Sequence, residues 1–241
     1  SFYGYVTDGI FQTPEEVKAS AQYEPGKMDS EQTTRVGDFR FKDLNNDGRI
    51  TDEDRTYLGS PLPDFVFGVP LNFRYSGLEL SIFFQGQTGN KIFNVMDYYL
   101  YNAGNGNVYA DIREKHWSGQ VAENRAFFPL NTSATVPDLD PNDAARNFRS
   151  SDFLVKDGSY VRLKELRLSY SFEPSLIKRL GLSSLVLSAT AYNLLTFTKY
   201  DGFDPEVGKV DGTEGNNLNM GVDHGNYPQA RSFTFGLKFG F

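Results

Sequence analysis

The chain has no cysteine among its 241 residues, which excludes both a disulfide framework and a thiolate metal site. Histidine is almost as scarce. His116 and His224 fall in separate expected loops, which makes a shared imidazole metal site a poor reading. Nowhere do about 20 apolar residues run together, so no helix is expected to cross a membrane. No basic run interrupts a formal charge of -7, and this argues against a nucleic-acid partner. The sequence also lacks a glycine-rich phosphate loop after a strand and a nucleophile elbow, so nothing marks it as an enzyme. Its first residues, SFYGYVTDGIF, contain neither an initiator Met nor a signal peptide, and Ser1 is expected to be internal to a longer precursor.

What the chain has in quantity is aromatic side chains, 21 Phe and 14 Tyr, although only 39% of its residues are hydrophobic. That combination suits β-strands with one apolar face and one wet face. The pattern is explicit in FVFGVPLNFRY (65–75), where every odd position is apolar: Phe65, Phe67, Val69, Leu71, Phe73 and Tyr75. Period two over about 11 residues matches a tilted strand that crosses a bilayer. Pro70 cannot donate to a ladder, so a local bulge is expected there. Ser76 and Gly77 turn the chain into LELSIFFQGQ, with Leu78, Leu80, Ile82 and Phe84 on one side, a hairpin with one greasy face.

Three more strands follow. In YVRLKELRLSYSF (160–172) the apolar parity slips between Leu163 and Leu166, and a bulge near Lys164 and Glu165 would absorb the slip. Residues 184 to 195 alternate more weakly. RSFTFGLKFGF then places Phe233, Phe235, Leu237, Phe239 and Phe241 on one face. The connections alternate between short (76–77 and about 173–183) and long, polar ones (88–158 and 196–229), as in membrane barrels. Residues 1–64 are therefore read as an extracellular loop region and 65–241 as barrel strands. The alternative is a secreted, calcium-stabilised β-sandwich that binds a ligand, since period two also holds when a face packs on a second sheet.

DLNNDGRITDED (43–54) has the spacing of a calcium loop. Asp43, Asn45 and Asp47 stand at positions one, three and five. Gly48 permits the turn, Arg49 would offer its carbonyl, Thr51 would act directly or through water, and Asp54 closes position twelve. Asp54 is one methylene shorter than the usual Glu. The bland alternative is a turn in which Asx side chains bond their own backbone. Trp117, in KHWSG, could stack on a sugar, but a loop Trp more often packs its own loop. Asp201, Asp204 and Glu206, in DGFDPE, could suggest paired catalytic carboxylates, a chemistry decided by spatial separation.

Six stretches, in order across nearly the whole chain, resemble the C-terminal part of a SusC/RagA-type TonB-dependent outer-membrane transporter. They are GYVTDGIFQTPEEV (4–17), GDFRFKDLNNDGRITDEDRTYLGSPLPDFVFG (37–68), LELSIFFQGQTGNKIFN (78–94), SYVRLKELRLSYSF (159–172), AYNLLTFTKYDGFDPEV (191–207) and NYPQARSFTFGLKFGF (226–241). The resemblance implies an all-β fold, about five strands of a large antiparallel transmembrane barrel that is plugged by a separate domain. It implies the outer membrane of a Gram-negative bacterium and no catalysis. It also implies import of oligosaccharides or peptides under a SusD-like lipoprotein, powered by TonB. The calcium-type loop would then be a structural brace in an extracellular loop. The family's plug, TonB box and most strands are not in this sequence. Five strands cannot close a barrel, since about eight is the smallest closed form. The segment is thus expected to pair with strands outside it.

Overall fold

The computed structural model describes residues 1–21, 34–102, 104, 106–118, 131–140, 146–207 and 220–241. Parts of the two expected long loops (119–130, 141–145 and 208–219) lie outside these. In chain order the strands are β1 (Phe2–Gly4), β2 (Thr7–Ile10), β3 (Phe39–Phe41), β4 (Thr56–Gly59), β5 (Phe65–Tyr75) and β6 (Leu78–Thr88). Then come β7 (Lys91–Asn94), β8 (Val155–Asp157), β9 (Tyr160–Ser171), β10 (Ser184–Thr198), β11 (Val222–Asp223) and β12 (Ser232–Gly240). The α-helices are short: α1 (Pro14–Ala19), α2 (Val95–Tyr101), α3 (Ile112–Lys115) and α4 (Pro174–Ile177). None is long and apolar enough to cross a membrane.

The chain divides into two compact units. The first gathers Ser1–Pro61, Ile92–Lys156 and Gly208–Gly225. This division is not the contiguous one expected at residue 64, and its cause is burial. The segment between β6 and β9 carries Trp117, Val136 and Phe148, which are core residues and not loop surface. Trp117 packs with Tyr5, Ile10, Phe39, Phe41 and Ile50, and a second cluster joins Tyr101, Ile112, Val136 and Phe148. Within this unit β1 pairs with β4 and β2 with β3, both antiparallel. α1 starts where its sequence says it should. Thr13 accepts the Glu16 N–H at 3.2 Å, Pro14 opens the first turn, and Val17 is buried.

The second unit, Leu62–Lys91, Asp157–Val207 and Asn226–Phe241, is built on one five-stranded antiparallel sheet in the order β12-β10-β9-β6-β5. Every long strand therefore lies beside the long strand that precedes it in the chain. β5 and β6 join through Ser76 and Gly77, whose φ values of 44° and 83° make the doubly left-handed turn that suits strand twist. A Cβ on Gly77 would lie 2.6 Å from the Ser171 carbonyl oxygen, so only glycine fits there.

Two irregularities keep the sheet's faces in phase. Phe83 opposes Glu165 and Phe84 opposes Leu163, which leaves Lys164 as one extra residue on β9. The expected bulge at Lys164 is thus present. β10 carries its own extra residue, for Tyr192 opposes Glu165 and Leu195 opposes Leu163. Asn193 sits in that bulge with φ of 52°, a left-handed conformation that Asn tolerates better than most residues. The bulge expected at Pro70 is absent. β5 and β6 pair without interruption from Phe65↔Thr88 to Tyr75↔Leu78. Counting from the two-residue turn, Pro70 falls at a non-hydrogen-bonded pair on an edge strand. Its missing N–H would point away from β6, so the β5–β6 ladder loses no bond.

Candidate functional site: the two faces of the five-stranded sheet

Register turns the sequence alternation into rows of side chains. Phe235, Ala189, Leu168, Leu80 and Phe73 form one row straight across the five strands. Leu237, Leu187, Tyr170, Leu78 and Tyr75 form the next. Beyond the bulges, Phe197, Val161, Gly86 and Phe67 continue the same face. The Phe67 ring covers Gly86, where a Cβ would come within 2.5 Å of it. This face is exposed: Phe235 and Tyr75 are each 83% accessible, and Phe233, Phe239 and Phe73 are exposed too. Covering one such side chain is worth about 1.5–3 kcal/mol. A continuous patch of this kind exceeds what soluble monomers leave in water.

The opposite face is polar. Thr234, Thr190, Arg167, Ser81 and Asn72 make one of its rows. Toward the far end of β9 this face carries a buried ionic cluster centred on Arg162, which is 2% exposed. Its Nε donates to Thr196 Oγ1 at 2.9 Å, Nη1 to Glu206 Oε2 at 2.7 Å and Nη2 to Asp204 Oδ1 at 2.6 Å. Lys164, the extra residue of the β9 bulge, reaches Glu206 Oε2 at 3.2 Å. The Asp204 carboxylate also accepts the N–H groups of Glu206 at 2.8 Å and Gln229 at 2.9 Å. Burial by itself would raise the Asp204 carboxyl, but those two N–H bonds and the Arg162 guanidinium outweigh it and hold it below the usual range. Two cations face two carboxylates here, and every distance is that of an ion pair. The paired acids of DGFDPE therefore anchor a loop to the sheet, and they are not arranged as an acid and a base around a substrate.

The calcium-type loop belongs to the first unit. Asp43, Asn45, Asp47 and Arg49 lie together on one turn in which Asn46 and Gly48 have φ of 60° and 80°. The Asp43 carboxylate accepts the Gly48 N–H at 2.8 Å, Asn45 Oδ1 accepts that of Asp47 at 3.0 Å, and Asp47 Oδ1 that of Arg49 at 2.8 Å. Asp54 is fully buried, and its two oxygens accept the N–H groups of Leu44 at 2.8 Å and Thr51 at 2.7 Å. Thr51 in turn caps the short helical turn Asp52–Asp54. The loop's own backbone thus holds its shape. Among the described residues no three His, Asp or Glu side chains gather as a metal group. The carboxylates retain lone pairs beyond those the N–H groups use, so the residue types remain suited to a hard cation.

The remaining candidates have structural explanations. Trp117 is buried, and its Nε1 donates to Gln12 Oε1 at 3.0 Å. His116 is buried with Nδ1 2.6 Å from the Ile112 carbonyl oxygen, whereas His224 is exposed. Asn193 Nδ2 donates to the Ala230 carbonyl at 3.0 Å, which ties the β10 bulge to the segment entering β12.

No protein-family model matches the chain. It is 36% identical over 244 residues to TonB-dependent receptor P3 of Formosa agariphila, covering 100% of this chain and 22% of the relative. Over its whole length the chain is thus similar to a segment of the TonB-dependent receptors. Further along the family it is 28% identical over 204 residues to TonB-dependent receptor SusC of Bacteroides thetaiotaomicron, covering 83% of this chain and 17% of that receptor. Among solved structures, the RagAB peptide importer in its open-open state superposes with a TM-score of 0.64 at 24% identity, over 100% of this chain and 22% of that chain. The segment thus spans about a fifth of the length of the receptors it matches. Its five-stranded sheet is a piece of such a receptor barrel.

Within that family frame, Arg162 is the residue the sequence reading missed. Its one signal is weak: a charged residue on the polar parity of a strand, with no partner visible nearby. Asp204 and Glu206 lie 42 and 44 residues away, and only the β9–β10 pairing brings their loop to it.

Proposed function

We propose that this segment supplies five membrane-spanning strands to an outer-membrane barrel that imports nutrients as oligosaccharides or peptides. The observation that carries the reading is the sheet's division into an exposed aromatic face and a polar face, maintained through two bulges. In lipid the aromatic face is solvated by acyl chains. Every backbone group must then pair within a closed sheet, so β5 and β12 each take a further strand from the rest of the receptor. In a soluble sandwich the aromatic face would be the packed one, and its exposure favours the barrel.

The partners follow from kinship. One relative is the TonB-dependent receptor SusC and the similar solved structures are of the RagAB peptide importer, which supports a lipoprotein of the SusD type as partner and TonB as the energy source. The polar face then lines the lumen, with the Arg162 cluster fixing the 201–207 loop against the wall. Asp43, Asn45, Asp47, Arg49 and Asp54 act as a calcium-stabilised brace and contact no cargo. The test is to delete the receptor gene in its host and restore it with and without TonB. Import of one oligosaccharide or peptide class should require both proteins, and a surface lipoprotein should copurify with the receptor. Growth and uptake unaffected by either loss would refute the proposal.

A further inference from the structure

The connection between β9 and β10 lies at the end of the sheet where the connections are short, the end that faces the periplasm in membrane barrels. It folds as α4 followed by a single helical turn, Lys178–Leu180. Pro174 opens α4, and Gly181, with φ of 71°, closes the turn by donating its N–H to the Lys178 carbonyl at 3.1 Å. Ile177 is buried, and the Ser183 N–H donates to the Gly240 carbonyl at 2.8 Å. The connection is thus tied to the sheet. What it leaves outside is Leu176 and Leu180, 63% and 71% exposed, and between them Lys178 and Arg179, exposed as well.

Glu173 is the only acid between Glu165 and Asp201, so the connection carries a net charge of +1 in a chain whose formal charge is -7. Glu79, near the same end of the sheet, is already paired with Arg74 at 2.8 Å. Neither Lys178 nor Arg179 forms an ion pair among the described residues.

Beside the connection, the aromatic face of the sheet holds a groove of about 420 Å³. Leu168 and Tyr170 of β9 wall it on one side, and Phe235 and Leu237 of β12 on the other. Ala189 of β10 lies between them, a short side chain in a row otherwise made of Phe and Leu, and its size opens the groove. Phe172 carries the apolar track onward. Its ring meets that of Tyr170 edge-on with centroids 4.8 Å apart, and its N–H donates to the carbonyl of Leu185, the partner of Phe239. The track therefore runs from the groove to the first residue of the connection.

We infer that the connection and the groove together hold an anionic phospholipid of the periplasmic leaflet, its phosphate at Lys178 and Arg179 and one acyl chain along the groove. The inference rests on the membrane reading of the sheet. Two exposed leucines interleaved with two cations, at the end of a lipid-length apolar face, suit the boundary where acyl chains meet headgroups. There the Lys and Arg stems stay with the leucines while their charges reach the phosphate. A zwitterionic headgroup brings its own ammonium, which the two cations repel. A lipid of net negative charge, such as phosphatidylglycerol, is therefore preferred.

The test is photo-crosslinking in the full-length receptor, reconstituted in vesicles of equal parts phosphatidylglycerol and phosphatidylethanolamine. p-Benzoylphenylalanine replaces Leu180 in the connection, Leu187 in the groove or, as a reference on the edge strand of the same face, Phe73. Mass spectrometry then identifies the captured lipid. The expected result is about fivefold more phosphatidylglycerol than phosphatidylethanolamine at 180 and 187, as one net positive charge near an anionic headgroup would give, and near-equal capture at 73. In the double variant Lys178→Gln, Arg179→Gln, which changes exposed side chains only, the preference at both positions should fall to about twofold or less. Equal capture of the two lipids at 180 or 187, capture at 73 alone, the same preference at 73, or an undiminished preference in the double variant would overturn the inference and leave the membrane reading in place. No lipid captured at any of the three positions would overturn both.

Discussion

Arg162 Nη2 and Asp204 Oδ1 lie 2.6 Å apart, the first on β9 and the second in the loop after β10, and neither side chain is more than 7% exposed. A buried pair of this kind is costly to break one side at a time, because the survivor is left charged without a partner. Arg162→Ala should destabilise the 201–207 loop and the adjoining strands by about 3–5 kcal/mol. Arg162→Lys should recover little, since one ammonium cannot reach Asp204, Glu206 and Thr196 in the directions the guanidinium fork does. Limited proteolysis of the receptor, read as the rate of cleavage within 199–208, checks both.

The same pair makes a pH prediction. The Asp204 carboxyl titrates below its usual range when folded. Its contribution is therefore fully present above the unfolded value of about 3.9 and declines as pH falls through the lower folded value. Hydrogen exchange at the Glu206 and Gln229 amides, corrected for intrinsic rates, should show protection constant down to about pH 4 and falling below it. In Asp204→Asn the protection should be weaker at every pH, with no step.

The loop at 43–54 separates two roles that its motif merges. Asp54 caps backbone N–H groups and is fully buried. Asp54→Ala should therefore cost about 1–2 kcal/mol in chelator, from the lost caps alone, and more in calcium buffer. Asp47 is exposed and bonds a single N–H beyond the loop's own side chains. Asp47→Ala should destabilise residues 37–60 in calcium buffer and make little difference once a chelator is added. Thermal unfolding of both variants in calcium and in chelator checks this. If the chelator leaves the unmutated protein's unfolding unchanged, the loop is a metal-free turn.

Asn193 offers a test of the sheet's phasing. Its left-handed backbone sits where β10 gains a residue over β9. Asn193→Gly keeps the backbone angle and loses only the bond from Nδ2 to the Ala230 carbonyl, so it should cost about 0.5–1.5 kcal/mol. Asn193→Val loses the same bond and adds about 1–2 kcal/mol from the backbone angle. The thermal stability of the receptor distinguishes the two.

How far the sequence could be read depended on the range over which its signals act. Period two from Phe65 to Tyr75, and the parity slip around Lys164, are local consequences of strand geometry, and both appear in the structure where they were expected. Pro70 misled because its missing N–H falls on the side away from β6, and the sequence does not say to which neighbour a given N–H points. The core of the first unit was illegible for a different reason. Tyr5, Ile50 and Trp117 are far apart in the chain, and no periodicity marks their meeting. The Asp43–Asp54 spacing was plain, but only the folded loop shows that the Asp54 oxygens also accept the N–H groups of Leu44 and Thr51.

The central claim is that the aromatic face of the sheet lies in lipid and its reverse does not. The absence of cysteine from this segment leaves a clean background for single cysteines at residues 233 to 237, each carrying a nitroxide, in the full receptor reconstituted in bilayers. Collision rates with oxygen, which partitions into lipid, and with a water-soluble nickel chelate can then be compared position by position. The account predicts oxygen-dominated relaxation at 233, 235 and 237 and chelate-dominated relaxation at 234 and 236. Uniform chelate access at all five positions, or the opposite alternation, would contradict it.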